Sequence, residues 1–462
     1  MTDQEQAASQ DESAKSLPHL AYAPFDPQVD FYLQSQIFGM GQGTMVPLEY
    51  TGWRDEELSW KNTCYLHAGL NPAPTLQVTG PDATRFFSDH CVNTFTNFPA
   101  GTLKHAIMCN DEGLVMAHGA LLRLGEDDYL SYFLAPYAAY KFYSGGYKAQ
   151  AEWVNDWFIF QVAGPRSLEV LETVTGQCLH DIPFGHHRAS SINGIDVRIS
   201  RMGMAGTLAY EVHGPTTEAV PIYNAIMEAG APFGIRKLGL RAYQMNHTPG
   251  GFPQSFVHFP PAWGEDKGFM GFLHIPEEVG GAPGIYSGSM GSDIRPRYRN
   301  PVELGWAKGI KFDHDFVGRP ALEREVQKPR RFVVTLSWNV DDVLDIHASY
   351  YREGEPYKWM EPIDLGQHRA MNHLCADKVL KNGKEVGVSS GRVYSYYFRQ
   401  MLSLCSIDVE HSELGTEVEV LWGDPGTRQK AVRATVSRFP FLNENRNETV
   451  DVTTIPCAGR KK

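Results

Sequence analysis

The chain has 462 residues and a formal net charge of −12. That length exceeds what one hydrophobic core supports, so two or three domains are expected. An acidic balance argues against phosphate-backbone binding, and no apolar run reaches the roughly 20 residues of a membrane span, so neither nucleic acid nor a membrane is an expected partner.

The first residues are polar and acidic, without the basic start or apolar core of a secretory signal. The seven cysteines are scattered, odd in number and contain no Cys-x-x-Cys. They read as reduced thiols rather than a disulfide frame or a zinc site, and the expected location is cytoplasmic. Adjacent His186-His187 lacks matching ligands, so no metal is assigned.

In chain order, residues 1 to about 18 read as a polar tail. Gly41-Gln42-Gly43 reads as a connector, or alternatively as a loop whose backbone lies close to a ligand. Asp55 to Lys61 is a predicted helix and Thr75 to Val78 a strand, followed by Gly80-Pro81-Asp82-Ala83 opening a helix. Lys104 to Met108 and Leu114 to Arg123 flank the Asp111-Glu112-Gly113 turn as a hairpin. Tyr129 to Leu134 is a strand, and Pro136 to Phe142 a helix. Phe158 to Val162 then runs into Gly164-Pro165-Arg166-Ser167 and another helix. A strand entering Gly-Pro and then a helix, used twice, suggests a duplicated α+β unit.

A glycine-rich turn from Arg201 to Gly206 feeds a strand from Leu208 to His213, in which apolar and polar residues roughly alternate. Glu218 to Ala231 has the apolar spacing of an amphipathic helix. A second helix carries Gly239 to Asn246 and ends at Pro249-Gly250-Gly251. This layout places Glu211, Tyr243 and Phe252 around one cavity. Residues 264–300 read as loop. Beyond Arg331 the pattern becomes short strands, with Asn382-Gly383 as a hairpin turn, which argues for a small β-barrel or sandwich.

Three stretches carry a family resemblance. They are Asn300 to Trp306 with Lys311 to Leu322, Val386 to Gly391 with Met401 to Ile407, and Met202 to Pro215 with Gly239 to Asn246. Together they resemble the aminomethyltransferase (T-protein) of glycine cleavage and its folate-dependent relatives, in a branch with bacterial aromatic O-demethylases and phenylcoumaran formaldehyde lyases. The resemblance implies an α+β fold, a T-protein-like three-domain ring of two α+β domains and a C-terminal β-barrel around a central channel. The implied division is a tail and connector over 1–52, folate and substrate domains over 53–299, a linker over 300–330, the barrel over 331–445 and a tail over 446–462.

The resemblance also assigns roles. Gln161 and Glu211 sit where the family holds the pterin, and Phe252 stands where a tryptophan stacks near the folate. Tyr243 sits where the O-demethylases place a tyrosine beside the substrate oxygen. Ala117-His118 replaces an aspartate, which makes His118 a candidate acid or base. Leu134 replaces an arginine that grips an aromatic carboxylate, so a substrate lacking that carboxylate is implied. Asn71 lies in the segment that carries a histidine in the family. Phe256 and His258 belong to an aromatic stretch suited to a large pocket. Arg241 and Arg319 are candidates either for an acidic tail or for surface ion pairs.

Three functions follow from these assignments. The preferred one is a lyase acting on lignin-derived methoxylated aromatics, in which Tyr243 and His118 eliminate formaldehyde from a hydroxymethyl group, with no cofactor required. The alternative is a tetrahydrofolate-dependent aromatic O-demethylase, which the retained Gln161 and Glu211 favour. The third is a non-catalytic folate-binding protein. The expected partner is a small aromatic molecule, and a homodimer is left open.

Overall fold

The computed structural model describes residues 22–459 apart from 27, 30–31, 36–43, 204–205, 277, 279–280, 283 and 363–372. The N-terminal tail, the Gly41-Gln42-Gly43 loop and Met204-Ala205 of the glycine-rich turn therefore lie outside the described residues. Among those described, no helix is long and apolar enough to cross a membrane.

After an antiparallel pair of short strands, Tyr32–Ser35 and Thr44–Pro47, come the helix Trp53–Asn62 and strand β1 (Cys64–His67). The chain then leaves to build a five-stranded antiparallel sheet whose second strand is the long β2 (Val115–Gly125). It returns through β3 (Trp157–Ala163) and β4 (Ala209–Pro215) to complete a six-stranded sheet that includes β1. In that sheet the order is His187–Ile192, Ile195–Ser200, β4, β3, β1 and Ile235–Lys237. β1 is thus separated in sequence from its neighbour β3 by the whole first sheet. The alternation read in β4 does not leave one face in water. Ala209 to Gly214 are all buried, because β4 is a central strand covered on both sides.

The two sheets share a turn. Gly80 and Gly164 follow a strand at φ +114° and +122°, and each accepts the backbone N–H of the residue three further on. A side chain is excluded at Gly164, where an added Cβ would stand 2.6 Å from the Cα of Cys64. The helices begin just beyond, at Ala83 and Ser167, so Pro81 and Pro165 belong to the turns that feed them rather than to their first turns. Phe86 and Phe87 of the first helix are fully buried against Leu76 and Val78. Burial of each ring is worth about 1.5–3 kcal/mol. Ala219–Gly230 packs with Ser167–Thr175 on the second sheet.

Helix α1 (Leu240–Gly250) follows Ile235–Lys237 and stops at Gly251, whose φ of +71° gives the left-handed end that glycine favours. The stretch 264–300, read as loop, also holds a short helix, Lys267–Phe272, and an edge strand, Ile285–Ser287.

The C-terminal strands close on themselves. His373–Lys381, Lys384–Ser395, Gln400–Asp408, Arg331–Trp338, Lys430–Ser437 and Glu417–Trp422 pair in that order, and Val420 pairs back onto Val379. Between the barrel and a sandwich, the closure decides for a six-stranded barrel, filled by Val334, Leu336, Val379, Val420 and Val432. Asn382 and Gly383 are both at positive φ, as a two-residue hairpin turn requires. Besides Lys267–Phe272, two further helices escaped the sequence reading, Arg319–Gln327 and Val340–Ala348. After the barrel, residues 438–459 return as a strap against the second sheet and the end of α1.

Candidate active site

β1, β3 and β4 lie side by side, and their register aligns three polar residues. His67 is opposite Gln161, and Gln161 is opposite Glu211. Directly paired residues point to the same face of a sheet, so the three form a polar row across it. α1 lies over this row. Tyr243 stacks on His67 with ring centroids 4.1 Å apart and planes 8° from parallel. Opposite stands the first sheet, from which β2 contributes Met116, Ala117 and His118.

The cavity between them is lined by Glu211, Tyr243, Gln244, His247, Phe252, His118, Leu134 and Phe256, among others. The predicted meeting of Glu211, Tyr243 and Phe252 around one cavity is therefore observed. No lysine or arginine is among the described residues of its wall, and Glu211 is its only carboxyl. Met116, Phe133, Val257, Pro261 and Trp263 make much of the remaining wall apolar.

Several buried polar atoms here have no hydrogen-bond partner among the described residues. They are Glu211 Oε2, Gln161 Nε2, Tyr243 Oη, His67 Nε2 and His247 Nε2. Buried polar groups are normally paired, so such a cluster marks a place for a polar ligand. Gln161 does not itself line the cavity. Its Oε1 accepts the Tyr65 hydroxyl at 2.6 Å, which aims the amide from behind the row. Burial pushes the Glu211 carboxyl up to about 8 and holds His67 and His247 down near 4, so all three are uncharged at neutral pH. Glu211 lies 3.7 Å from His213 Nε2, but burial holds His213 near 3, and the contact is one of neutral groups rather than an ion pair. Burial likewise raises the Tyr243 hydroxyl well above its usual value, so it keeps its proton.

His118 is wired on both nitrogens. Its Nε2 accepts the Ser255 N–H at 3.3 Å, which leaves Nδ1 carrying the proton and donating to His105 Nε2 at 3.0 Å. Burial drives His118 well below the ordinary histidine value. His105, missed in the sequence, sits at the centre of an aromatic cluster with Phe252 at 5.2 Å and Trp306 at 4.7 Å. The Asn300 to Trp306 segment thus reaches the site through its terminal tryptophan.

Two candidate residues face elsewhere. Asn71 gives its amide to the carbonyls of Ala68 and Ile159 and accepts from the Ile159 N–H, so it braces β3 rather than lining the cavity. His258 accepts from the Gln254 N–H at 3.0 Å and donates to Thr248, whose hydroxyl donates to the Gly391 carbonyl at 2.7 Å. Arg241 is paired with Glu49, and Arg319 with Asp315 and Glu323. His67 and His247 were legible only in part. His247 falls one helical turn after Tyr243, whereas His67 needs the strand register.

The GCVT N-terminal domain family matches residues 38–254. A sesamin methylene transferase from Sinomonas sp. is 45% identical over 424 residues, covering 89% of this chain and 93% of that protein. The chain belongs to the aminomethyltransferase family. A syringate O-demethylase from Sphingobium sp. is 31% identical, again covering 89% of this chain and 93% of that protein. The crystal structure of the glycine cleavage system aminomethyltransferase T from Bartonella henselae superposes with a TM-score of 0.64 at 16% identity, over 90% of this chain and 95% of that one. That likeness bears on the fold, which is the T-protein fold with its closed barrel.

Membership corrects one expectation, that no cofactor is required. The similar proteins are a transferase and a demethylase, and a one-carbon group that is transferred needs an acceptor. In the aminomethyltransferase family the acceptor is tetrahydrofolate. The residues fit such a group. The unpartnered Glu211 carboxyl offers a hydrogen-bonding partner to the polar edge of a pterin, with Gln161 behind it in the row, and Phe252 offers an aromatic ring to the same cavity.

Proposed function

We propose that this aminomethyltransferase-family enzyme transfers a one-carbon unit from an uncharged, oxygen-substituted aromatic to tetrahydrofolate, with a methylenedioxy-bridged diaryl as the favoured donor. The observation that carries this reading is the cavity wall, which Leu134 helps to form and where no lysine or arginine lines the described surface. An aromatic carboxylate would be left unpaired there, at a cost of several kcal/mol. This disfavours a benzoate such as syringate and suits a neutral ring system, as the name of the 45% identical methylene transferase also suggests.

When bound, tetrahydrofolate supplies the nitrogens that accept the carbon and release the hydrogens that the two phenolic oxygens take up. The roles of the chain's own residues are those of holding and donating. Tyr243 retains its proton and serves as a hydrogen-bond donor to the oxygen that leaves. Glu211 holds the pterin edge, backed in the row by Gln161, and Phe252 covers it. His118 orients the Ser255 segment of the wall. Its Nε2 lone pair is taken by the Ser255 N–H, so it does not offer the base that formaldehyde elimination asks for.

The test is turnover of sesamin and of syringate, each with and without tetrahydrofolate, following catechol, one-carbon folate and formaldehyde. Catechol formation from the methylenedioxy compound only when folate is present is the expected outcome. Formaldehyde release at an equal rate without folate would overturn the transfer. A preference for syringate would overturn the reading of the pocket.

A further inference from the structure

A second cluster of reactive side chains lies away from the cavity, where the end of the Ser167–Thr175 helix meets the C-terminal strap. A carboxylate oxygen of Glu172, Sγ of Cys178 and a ring nitrogen of His180 all lie within 4.8 Å of one another. The thiol of Cys457, on the strap, neighbours that of Cys178 but stands outside this set of three. Glu172 is fully buried, yet His180 is its sole ion-pair partner among the described residues. Its two oxygens accept the backbone N–H groups of Leu179 and Ala458, each at 2.7 Å, which fixes the carboxylate from both segments. His180 Nε2 is buried and has no hydrogen-bond partner among the described residues, although Glu172 Oε1 is 3.4 Å away.

We propose that Glu172, Cys178, His180 and Cys457 form a binding site for a zinc-like divalent cation that fastens the C-terminal strap to the second sheet. The donor set of two sulfurs, one imidazole nitrogen and one carboxylate oxygen is that of a closed structural zinc site. The spacing agrees. Zinc bonds of about 2.0–2.2 Å to nitrogen and oxygen set a tetrahedral edge of about 3.3–3.6 Å, which the 3.4 Å between Glu172 and His180 matches. The cation compensates the buried carboxylate, which the backbone N–H groups of Leu179 and Ala458 already hold in place. Both cysteines are free and half-buried, so the ion has access from the surface.

The consequence reaches the cavity. The same strap supplies Asn447, which accepts from Arg201 and donates to the Ala209 carbonyl at the start of β4. Glu211 is two residues further along that strand. A metal at the strap's end therefore steadies the strand that carries the pterin-side carboxyl.

The test uses reduced, metal-stripped full-length protein titrated with cobalt(II). One equivalent is expected to give thiolate-to-metal charge-transfer absorption with the visible bands of a tetrahedral site. Both features are lost in Cys178→Ser and in Cys457→Ser, the latter a strap residue outside the hydrophobic cores, and zinc then displaces the cobalt from the wild type. A chelator lowers the melting temperature of the wild-type protein and leaves folded Cys457→Ser unmoved. Cobalt binding that survives either serine variant overturns the site, as does a folded wild type that binds none. A Cys178–Cys457 disulfide in the intact mass that persists under mild thiol reductant also overturns it.

Discussion

Glu211 shows how burial alone prepares a side chain. Its carboxyl, central in β4 and without a cationic partner, is pushed up to about 8 from an ordinary value of 4.5. The folded protein therefore holds a proton there that the unfolded chain has lost once the pH exceeds about 4.5. Between these values the native state binds more protons than the unfolded one, so Glu211 lowers stability progressively as the pH rises to about 8, and no further above it. Glu211→Gln removes that slope. The folate-free variant is expected to have a higher denaturation midpoint than wild type at pH 8 and to converge with it near pH 5. Parallel midpoints across this range would mean the carboxyl is already ionised. His118 makes the complementary point, because its identity as a histidine suggested an acid or base and its hydrogen bonds to Ser255 and His105 assign it a neutral, oriented role.

At the scale of the element, α1 carries Tyr243 and His247 to the cavity, and its C-terminal turn is tied to the barrel. The tie runs from His258 through the Thr248 hydroxyl to the Gly391 carbonyl. Gly391 lies at φ +60°, and a methyl added there would overlap the His258 ring. Left-handed strain and the overlap act together, each of order 1–3 kcal/mol. Gly391→Ala is expected to lower stability by at least about 2 kcal/mol and to weaken folate binding, because α1 shifts with its anchor. Urea denaturation and folate titration of the variant check this, and a variant as stable as wild type would remove the anchor from the account. The Gly80 and Gly164 turns are another element-scale lesson. Their Gly-Pro pattern was visible, and the positive φ at both glycines gives the repeat a physical basis.

At the scale of the whole molecule, the helix Trp53–Asn62 carries a polar joint to the barrel. Glu57 accepts from the Ser395 hydroxyl at 2.6 Å and the Tyr396 N–H at 2.8 Å, and pairs with Lys61 at 3.2 Å. Lys61 lies against the rings of Trp60, Tyr397 and Phe398, and burial lowers it to about 8. Glu57→Ala leaves a buried lysine and two barrel donors without their acceptor, which is expected to cost about 3–5 kcal/mol. The denaturation midpoint measures the loss, and a change below about 1 kcal/mol would show the joint to be held by apolar packing instead.

The sequence by itself determined the elements and the family. Periodicity located most strands and helices, the Gly-Pro turns marked the repeat, and three motifs carried the resemblance to aminomethyltransferases. These signals are local, because they record which face of a helix or strand is apolar and which turn a backbone must make. Only the tertiary structure decided what meets what. Strand register brought His67 beside Gln161 and Glu211, the central position of β4 buried both its faces, and β2 brought His118 within reach of His105 and Trp306. The returning strap set Cys457 against Cys178, although nothing in their spacing related the two cysteines. Charge state, hydrogen-bond wiring and ligand clusters depend on distances between residues far apart in the chain, and those distances exist only once the chain has folded.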